Sequence, residues 1–596
     1  MLRRRCSTLV VALSTFVMVV AGAPTGIARP AGSDARPQLA NRSLSFKGTV
    51  NIRRLGAQQR LASRSSVRAT ASGLRSPRQL RRPLARGAAS MTAGPSVANS
   101  TIVQGSGGAQ SLDGLTASDQ RLADNGNQFT FEPPDGATCE GNGVGVEYVN
   151  SVLQFYDSSS EWLSAPISAT DFYGLPVPID RSKGTYGPFL PGDIKCVYDA
   201  GTGRFFLEAW ATGQDFFTGN FNGQNVFFIG VQATSDPLGD YFIYALQLSS
   251  PGSPGCVTAC LADHPTASTD ANTYVTTYNE YNADTGMFNG ARVVVLSKAD
   301  LEAGAASPVV IISPGSLGGG LLYTLQGGNV PPGGGYASAR GGTMYFLSAL
   351  EFTGAGDTRI AVEALTHTGL IDSNPSGLGF QKKVIFNVLR YVSPPKTPQR
   401  PGKHPLGLSL GEPLNALDSG GDETQPTKFA GGKLWTVIDT QVGSGTSSRG
   451  GLLYVVVKPW FSNGLLQGHV TSQGYVAIRG NWLLYGGIAV KGNGSRPVIV
   501  TSIAGPDFYP SSGFGWLTST GVSKIFLYGK GAGPDDGFSC YPEFDPGAST
   551  RGCRFGDYNE INWGDDGNFY FESEYVTARF RAPFANWGTR VGVLGG

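Results

Sequence analysis

One pattern returns seven times between about residue 140 and the C-terminus: a turn carrying Gly, Asn or Asp, then a short aromatic or β-branched run. The clearest copies are Asp199-Ala-Gly-Thr-Gly-Arg-Phe-Phe-Leu, Thr269-Asp-Ala-Asn-Thr-Tyr-Val-Thr-Thr and Ala339-Arg-Gly-Gly-Thr-Met-Tyr-Phe-Leu. Three more are Phe429-Ala-Gly-Gly-Lys-Leu-Trp-Thr-Val, Ile478-Arg-Gly-Asn-Trp-Leu-Leu-Tyr and Trp563-Gly-Asp-Asp-Gly-Asn-Phe-Tyr-Phe. Gly141-Asn-Gly-Val-Gly-Val-Glu-Tyr-Val is a weaker first copy. A turn feeding a half-buried strand, at a spacing of roughly 50–90 residues, describes one β-sheet per repeat. A ring of such sheets is a β-propeller, so the expected fold is all-β with seven blades.

Helical periodicity is almost absent, and Lys298-Ala-Asp-Leu-Glu-Ala-Gly is the one candidate for a short helix. The 85 Gly and 37 Pro supply the turns that many short strands need. Single strands are expected at Val144–Tyr156 and at Gly588–Leu594, the latter pairing with N-terminal strands to close the ring. The Pro/Gly-rich stretch Pro394–Gln425 is a long excursion between blades.

The ends differ from the middle. Met1-Leu-Arg-Arg-Arg, an apolar run from Leu9 to about Gly22 and small residues near Ala23 describe a secretory signal peptide over residues 1–28. The run is too short for a transmembrane span, and no other apolar stretch approaches 20 residues. Arg36 to Arg86 holds thirteen Lys/Arg and no Asp or Glu, so residues 29–97 are expected to be a basic, disordered segment. Residues 98–596 then form the propeller. Residues 1–96 carry 17 of the 46 basic residues and one of the 44 acidic ones, leaving the remainder with 29 basic against 43 acidic. An acidic body argues against a polyanion partner, and the basic segment lacks the interleaved aromatics of nucleic-acid platforms. The chain is expected to be secreted and monomeric, with an extracellular glycan or cell-wall polymer as partner.

Six cysteines follow the signal peptide: Cys139, Cys196, Cys256, Cys260, Cys540 and Cys553. An even count in an exported chain predicts disulfides, with Cys256–Cys260 and Cys540–Cys553 as the local choices and Cys139–Cys196 left to cross neighbouring blades. The rival is a metal run, Cys256-x3-Cys260-x3-His264, which lacks a fourth ligand at finger-like spacing. No cofactor is expected, and a structural calcium ion stays open.

Pro133-Pro134-Asp135-Gly136, Tyr148-Val149-Asn150-Ser151-Val152, Thr234-Ser235-Asp236-Pro237-Leu238-Gly239, Arg554-Phe555-Gly556-Asp557-Tyr558 and Ala585-Asn586-Trp587-Gly588-Thr589 resemble a group of exported bacterial β-propeller proteins without an assigned activity. The resemblance spans Pro133 to Gly588 and implies sialidase-like propeller architecture without that chemistry. This chain departs from it by carrying Asp263-His264-Pro265 where relatives carry Asp-Tyr-Pro.

Known catalytic patterns do not fit. Gly407-Leu-Ser409-Leu-Gly411 matches a nucleophile-elbow string, which works only on a strand-to-helix turn of an α/β sheet. The four histidines lack paired spacing. What remains is a set of polar residues beside predicted strand starts: Asp193, Asn279, Glu280, Asp422, Glu423, Glu574 and those named next. Asp263, His264, Asp557 and Glu560 are the candidate catalytic groups, because paired carboxylates can donate a proton and activate water at a glycosidic bond. Arg554, Tyr558, Asn559 and Trp563 are the candidate substrate contacts. The function expected is recognition of extracellular carbohydrate, with a glycoside hydrolase or polysaccharide lyase as the alternative. Pro265 is expected to hold the His264 backbone extended.

Overall fold

In the computed structural model, which describes residues 38–39, 44–57, 95–249, 256, 259–351, 354–579 and 581–596, seven antiparallel sheets follow one another along the chain. Blade 1 is Ala137–Gly141, Val144–Val149, Val152–Asp157 and Ile167–Ser168; blade 2 is Phe189–Asp199, Arg204–Gln214, Phe221–Gln232 and Asp240–Ser249. Blade 3 is Cys260–Thr269, Thr273–Asn282, Phe288–Ser297 and Val309–Ile312; blade 4 is Gln326–Gly327, Thr343–Ala349, Ile360–Thr366 and Gly379–Ile385. Blade 5 is Lys428–Ala430, Lys433–Val442, Arg449–Ser462 and Leu465–Val476; blade 6 is Trp482–Ala489, Val498–Ala504, Ser511–Trp516 and Lys524–Gly529. Blade 7 takes Glu560–Trp563, Asn568–Val576 and Trp587–Gly595 from the C-terminal end and Gln110–Thr116 from the N-terminal side. Gly588 lies opposite Thr116 and Val593 opposite Gln110, so the expected closure of the ring is present.

The inner strands of the blades are buried on both faces, not half-buried, while outer strands such as Leu465–Val476 stay partly exposed. Successive residues enter different inter-blade cores: Phe205 packs between blades 1 and 2, and Phe206 packs between blades 2 and 3. Equivalent cores join blades 3 and 4, 4 and 5, 5 and 6, 6 and 7, and 7 and 1. Alternation of side chains along a strand therefore gives continuous apolar runs, as in any sheet covered on both sides.

Six of the seven repeated turns join the first strand of a blade to its second. The copy at Ile478 instead leads from blade 5 into blade 6, whose own first turn is Lys491-Gly-Asn-Gly-Ser-Arg, between the paired residues Ala489 and Val498. That turn is followed by Pro-Val-Ile-Val rather than an aromatic, which hides it. The expected strand Val144–Tyr156 is two strands of a hairpin, turned at Asn150-Ser151 with Ser151 at φ 71°. The helix expected at Lys298 is present as Lys298–Glu302, with Ser297 Oγ accepting from the Asp300 amide.

Part of the segment expected to be disordered is ordered. Leu44–Asn51 adds a fifth strand to the edge of blade 2, pairing Leu44 with Leu246 and Asn51 with Asp240, and Gln38–Leu39 adds one to blade 3. The blade edge supplies the ladder hydrogen bonds and apolar cover that the segment lacks by itself. The propeller domain therefore recruits residues from before its expected start at 98. The signal-peptide assignment and the rest of the basic segment lie outside the described residues. Among the described residues no helix is long and apolar enough to cross a membrane.

All three disulfides form as expected: Cys139–Cys196, Cys256–Cys260 and Cys540–Cys553. The sulfurs of Cys256 and Cys260 are thus bonded to each other, which removes the metal-run reading. Cys139–Cys196 ties the first strands of blades 1 and 2 together at the channel wall.

Candidate functional site

The first strands of all seven blades start at the same end of the ring, and the loops that precede them gather at one mouth. Blade 1 brings Asp135, blade 2 Asp193, blade 3 Asp263 and His264, and blade 7 Arg554, Asp557 and Tyr558. Each lies just before or early in a first strand, where a short, irregular stretch aims a side chain inward. Asp135 and Asp193 have positive φ, 49° and 41°. The ladder of blade 3 is bulged between Asp263 and Thr266, and His264 sits in it at φ 52°. The extended geometry expected from Pro265 is overridden, because a bulge needs a residue that turns the strand.

These residues form one connected cluster. Asn150 Nδ2 donates to Asp135 Oδ2 at 2.7 Å, while Asn150 Oδ1 accepts from the Asp193 amide at 2.5 Å. Asp193 Oδ2 accepts from the His264 amide at 3.3 Å. The His264 ring meets the edge of Tyr558, with centroids 5.6 Å apart. Arg554 Nη2 donates to Asp557 Oδ2 at 2.9 Å, and both side chains keep about a tenth of their surface exposed, 10% and 11%. Below Tyr558 stands Lys195, its Nζ 3.2 Å from the ring centroid.

Burial sets the protonation of the cluster. Asp135 is buried, and its Oδ1 accepts no hydrogen bond among the described residues. Desolvation first, then the Asp557 and Asp193 carboxylates, push its carboxyl well above the usual range, against the pull of Arg554. Burial also lowers Lys195 to about 8, although Glu560, Asp193, Asp135 and Glu208 all favour its charged form. Glu132 and Glu574, buried behind the mouth, are raised for the same reason.

The structure brings together His264, Arg554, Asp557 and Tyr558 of the expected site, with Asp263 preceding His264 in the bulge. Glu560 lies deeper in the channel, where its Oε1 accepts from Lys428 Nζ at 3.0 Å. Two residues do not belong to the mouth. Asn559 donates to Tyr485 O at 2.7 Å and to Ser502 Oγ at 3.2 Å and accepts from the Glu574 amide at 3.3 Å, so its amide stitches blades 6 and 7. Trp563 ends the first strand of blade 7, six residues and roughly 20 Å beyond Asp557, with Lys491 Nζ 4.6 Å over its ring. The strand carries Trp563 to the other face of the ring, while Asn559 stays beside Tyr558 but spends its amide on the blade 6–7 joint.

Others of the polar set act as ties. Asn279 exchanges hydrogen bonds with Thr324, both at 2.8 Å, and Glu280 pairs with Arg292 at 2.5 Å. Trp587 Nε1 donates to Phe131 O at 2.8 Å. Ser409 lies in the short helix Pro405–Leu410, donating to Leu406 O at 2.7 Å, so the nucleophile-elbow string is not an elbow. Asp135 and Lys195 were missed. Asp135 stood in the Pro-Pro-Asp-Gly run, which carried only the resemblance; Lys195 was a lone cation in an apolar strand, a signal in itself because a buried lysine needs partners.

The calcium question can be put to the donor atoms. Among the described residues, the trios of potential ligands close together are Cys256, Cys260 and Glu280, and Asp535, Cys540 and Cys553. Each contains a disulfide, and neither offers the oxygen cage that calcium takes. In the channel, Lys195 and Lys428 already set ammonium groups among the carboxylates.

No protein-family model and no curated protein matches the chain. Among solved structures it is similar to a family 43 β-1,3-galactosidase bound to galactodeoxynojirimycin, at 12% identity over 58% of this chain and 96% of that one, TM-score 0.27. It is also similar to a polysaccharide lyase, at 10% identity over 84% and 99%, TM-score 0.31. A third is the sialidase of Trypanosoma rangeli with the inhibitor DANA, at 11% identity over 68% and 54%, TM-score 0.31. At such scores these likenesses carry no argument; the propeller here rests on the sheet order and the seven inter-blade cores.

Proposed function

We propose that this chain is an exported β-propeller that binds an extracellular glycan at its mouth. The observation that carries the reading is the Arg554–Asp557 ion pair, which keeps about a tenth of its side-chain surface open beside the buried rings of Tyr558 and His264 and near the part-exposed Asp193. A guanidinium and a carboxylate offer donors and acceptors to sugar hydroxyls. Three disulfides support an oxidising destination. A glycan array and calorimetry of the full chain test it. Binding in the millimolar range or tighter, weakened by Arg554→Ala, is expected; no carbohydrate bound at millimolar ligand would remove the reading.

A second reading, hydrolysis, is favoured by one specific feature. Burial raises the Asp135 carboxyl well above its usual range, while its neighbour Asp557 pairs with Arg554. A carboxyl group raised by burial beside a second, arginine-paired carboxyl group is an arrangement that acid–base cleavage of a glycosidic bond can use. Asp135 would give its proton to the leaving oxygen, and Asp557 would attack or activate water. Reducing-end release across a polysaccharide panel, abolished by Asp135→Asn and by Asp557→Asn, is the expected result. Activity surviving Asp135→Asn ends this assignment, and no activity at all leaves the binding reading.

A further inference from the structure

Nine large hydrophobic side chains are exposed among the described residues, and six of them lie on connections at the mouth side of the ring: Leu122 and Leu408 in short helices, and Phe216, Phe217, Met287 and Phe386 in loops. Phe216 and Phe217 stand apart because they are adjacent, at 54% and 76% exposure. They occupy the tip of the loop between the second and third strands of blade 2. Phe189 pairs with Gly213 in that blade, so the tip rises at the end from which the chain descends to Asp193.

The tip is built, not loose. Asp215 Oδ1 accepts from the Phe217 amide at 3.1 Å, the Thr218 amide at 2.8 Å and Thr218 Oγ1 at 2.8 Å. Its backbone closes through Asp215 N to Asn220 O and Gly219 N to Asp215 O, at 2.8 and 2.7 Å, and Tyr186 N donates to Phe216 O at 2.9 Å. The two rings meet edge to face, centroids 5.1 Å apart and planes at 86°, so each presents a free face in a fixed direction. Rigid aromatic surface of this kind costs little entropy to use.

Composition selects the ligand. Thr218, Asn220, Asn222 and Gln224 are exposed in this loop and the strand after it, and Asp215 is its one anion. No Lys or Arg occurs from Gln214 to Asn225, and Lys183 of the adjoining hairpin pairs with Asp180. A membrane-surface or nucleic-acid site would bring cations with its aromatics. Rings flanked by amides and a hydroxyl suit a ligand with apolar C–H faces and neutral hydroxyl edges.

We propose that Phe216 and Phe217 form a second binding site, a stacking platform for pyranose rings of a neutral polysaccharide that runs from the mouth outward over blade 2. The proposal rests on the reading of the mouth as a glycan site and extends it to polymeric ligands. By strand rise the tip stands roughly 20 Å from Asp193, so only a chain several sugars long can occupy both.

Native affinity electrophoresis tests it, with the full chain run through gels containing a soluble neutral β-glucan, xylan or galactan. The variants are Phe216→Ala/Phe217→Ala, whose exposed rings leave the fold unchanged, and Arg554→Ala at the mouth. The double variant should lose about tenfold in polymer affinity, the scale of one or two stacking contacts, while its binding of di- and trisaccharides stays as in the parent. Polymer retardation that depends on the two rings, with no short sugar bound by any form, would keep the platform and remove the mouth reading. Equal retardation of parent and double variant overturns the platform, as does no retardation of the parent in any of the three gels. Loss of sedimentation with phosphatidylcholine vesicles, without loss of polymer retardation, would make the rings a lipid contact and also overturn it.

Discussion

The Lys195 ammonium lies 3.2 Å from the centre of the Tyr558 ring, in a channel it shares with the carboxyl groups of Glu560, Asp193 and Asp135. Burial brings it to about 8 from its ordinary 10.5. Between those values the unfolded chain holds a proton that the folded chain does not, so this group's contribution to stability rises with pH. Parent and Lys195→Met should therefore diverge from pH 8 upward, by about 2 kcal/mol at pH 9.5. Guanidinium denaturation at pH 7.5, 8.5 and 9.5 measures it, and a constant difference across that range would contradict the assignment.

Glu363 gives the opposite sign. It is buried in blade 4 with Ser348 Oγ donating to Oε1 at 2.6 Å, while Oε2 accepts nothing among the described residues. Desolvation raises it to about 7. Its folded form binds a proton more tightly than its unfolded form, so its contribution is present below about pH 4.5 and is lost as pH rises to about 7. Glu363→Gln should leave the melting temperature at pH 4.5 nearly unchanged and raise stability at pH 8, on the order of 3 kcal/mol. Glu147, Glu208 and Asp535 are raised to about 7 as well, so the parent itself should melt higher at pH 5 than at pH 8.

Lys428 and Glu560 pair at 3.0 Å with almost no exposure, 3% and 7%. Removing one partner of such a pair strands the other, at a cost of about 3–5 kcal/mol. Lys428→Met and Glu560→Gln should each destabilise, and the double variant should recover much of the loss. Additive losses in the double-mutant cycle would show that the two do not act as a pair.

Blades 2 and 3 each have four strands without the N-terminal segment, whereas blade 7 has only three without Gln110–Thr116. A chain beginning at residue 95 should fold, with a cooperative melt within several degrees of the full chain. One beginning at residue 117 leaves an open edge and should give no cooperative transition by calorimetry.

The architecture was legible because each blade repeats one local problem: a tight turn, solved by Gly or Asn, between inner strands whose residues are nearly all buried. Asp199-Ala-Gly-Thr-Gly and Phe429-Ala-Gly-Gly-Lys declare it, while Lys491-Gly-Asn-Gly does not, for want of a following aromatic. The site was half legible. Asp557 and Arg554 stand three residues apart and could be read together, but Asp135 and Lys195 reach them only through the closed ring. Trp563 misled because a β-strand separates in space what is close in sequence, and Asn559 because its amide turns from the mouth to tie blades 6 and 7. The strand at Leu44–Asn51 was hidden by its composition, since its stability comes from the edge it joins.

Blade 7 also fixes an order of events. Thr116 waits for Gly588, and nothing made earlier can take that place. Through synthesis of nearly five hundred intervening residues the leading strand has no partner, and the ring stays open at its seam. Closure therefore comes last, and until the final strand is made the growing ring carries an unpaired strand edge that only its own C-terminal end can cover.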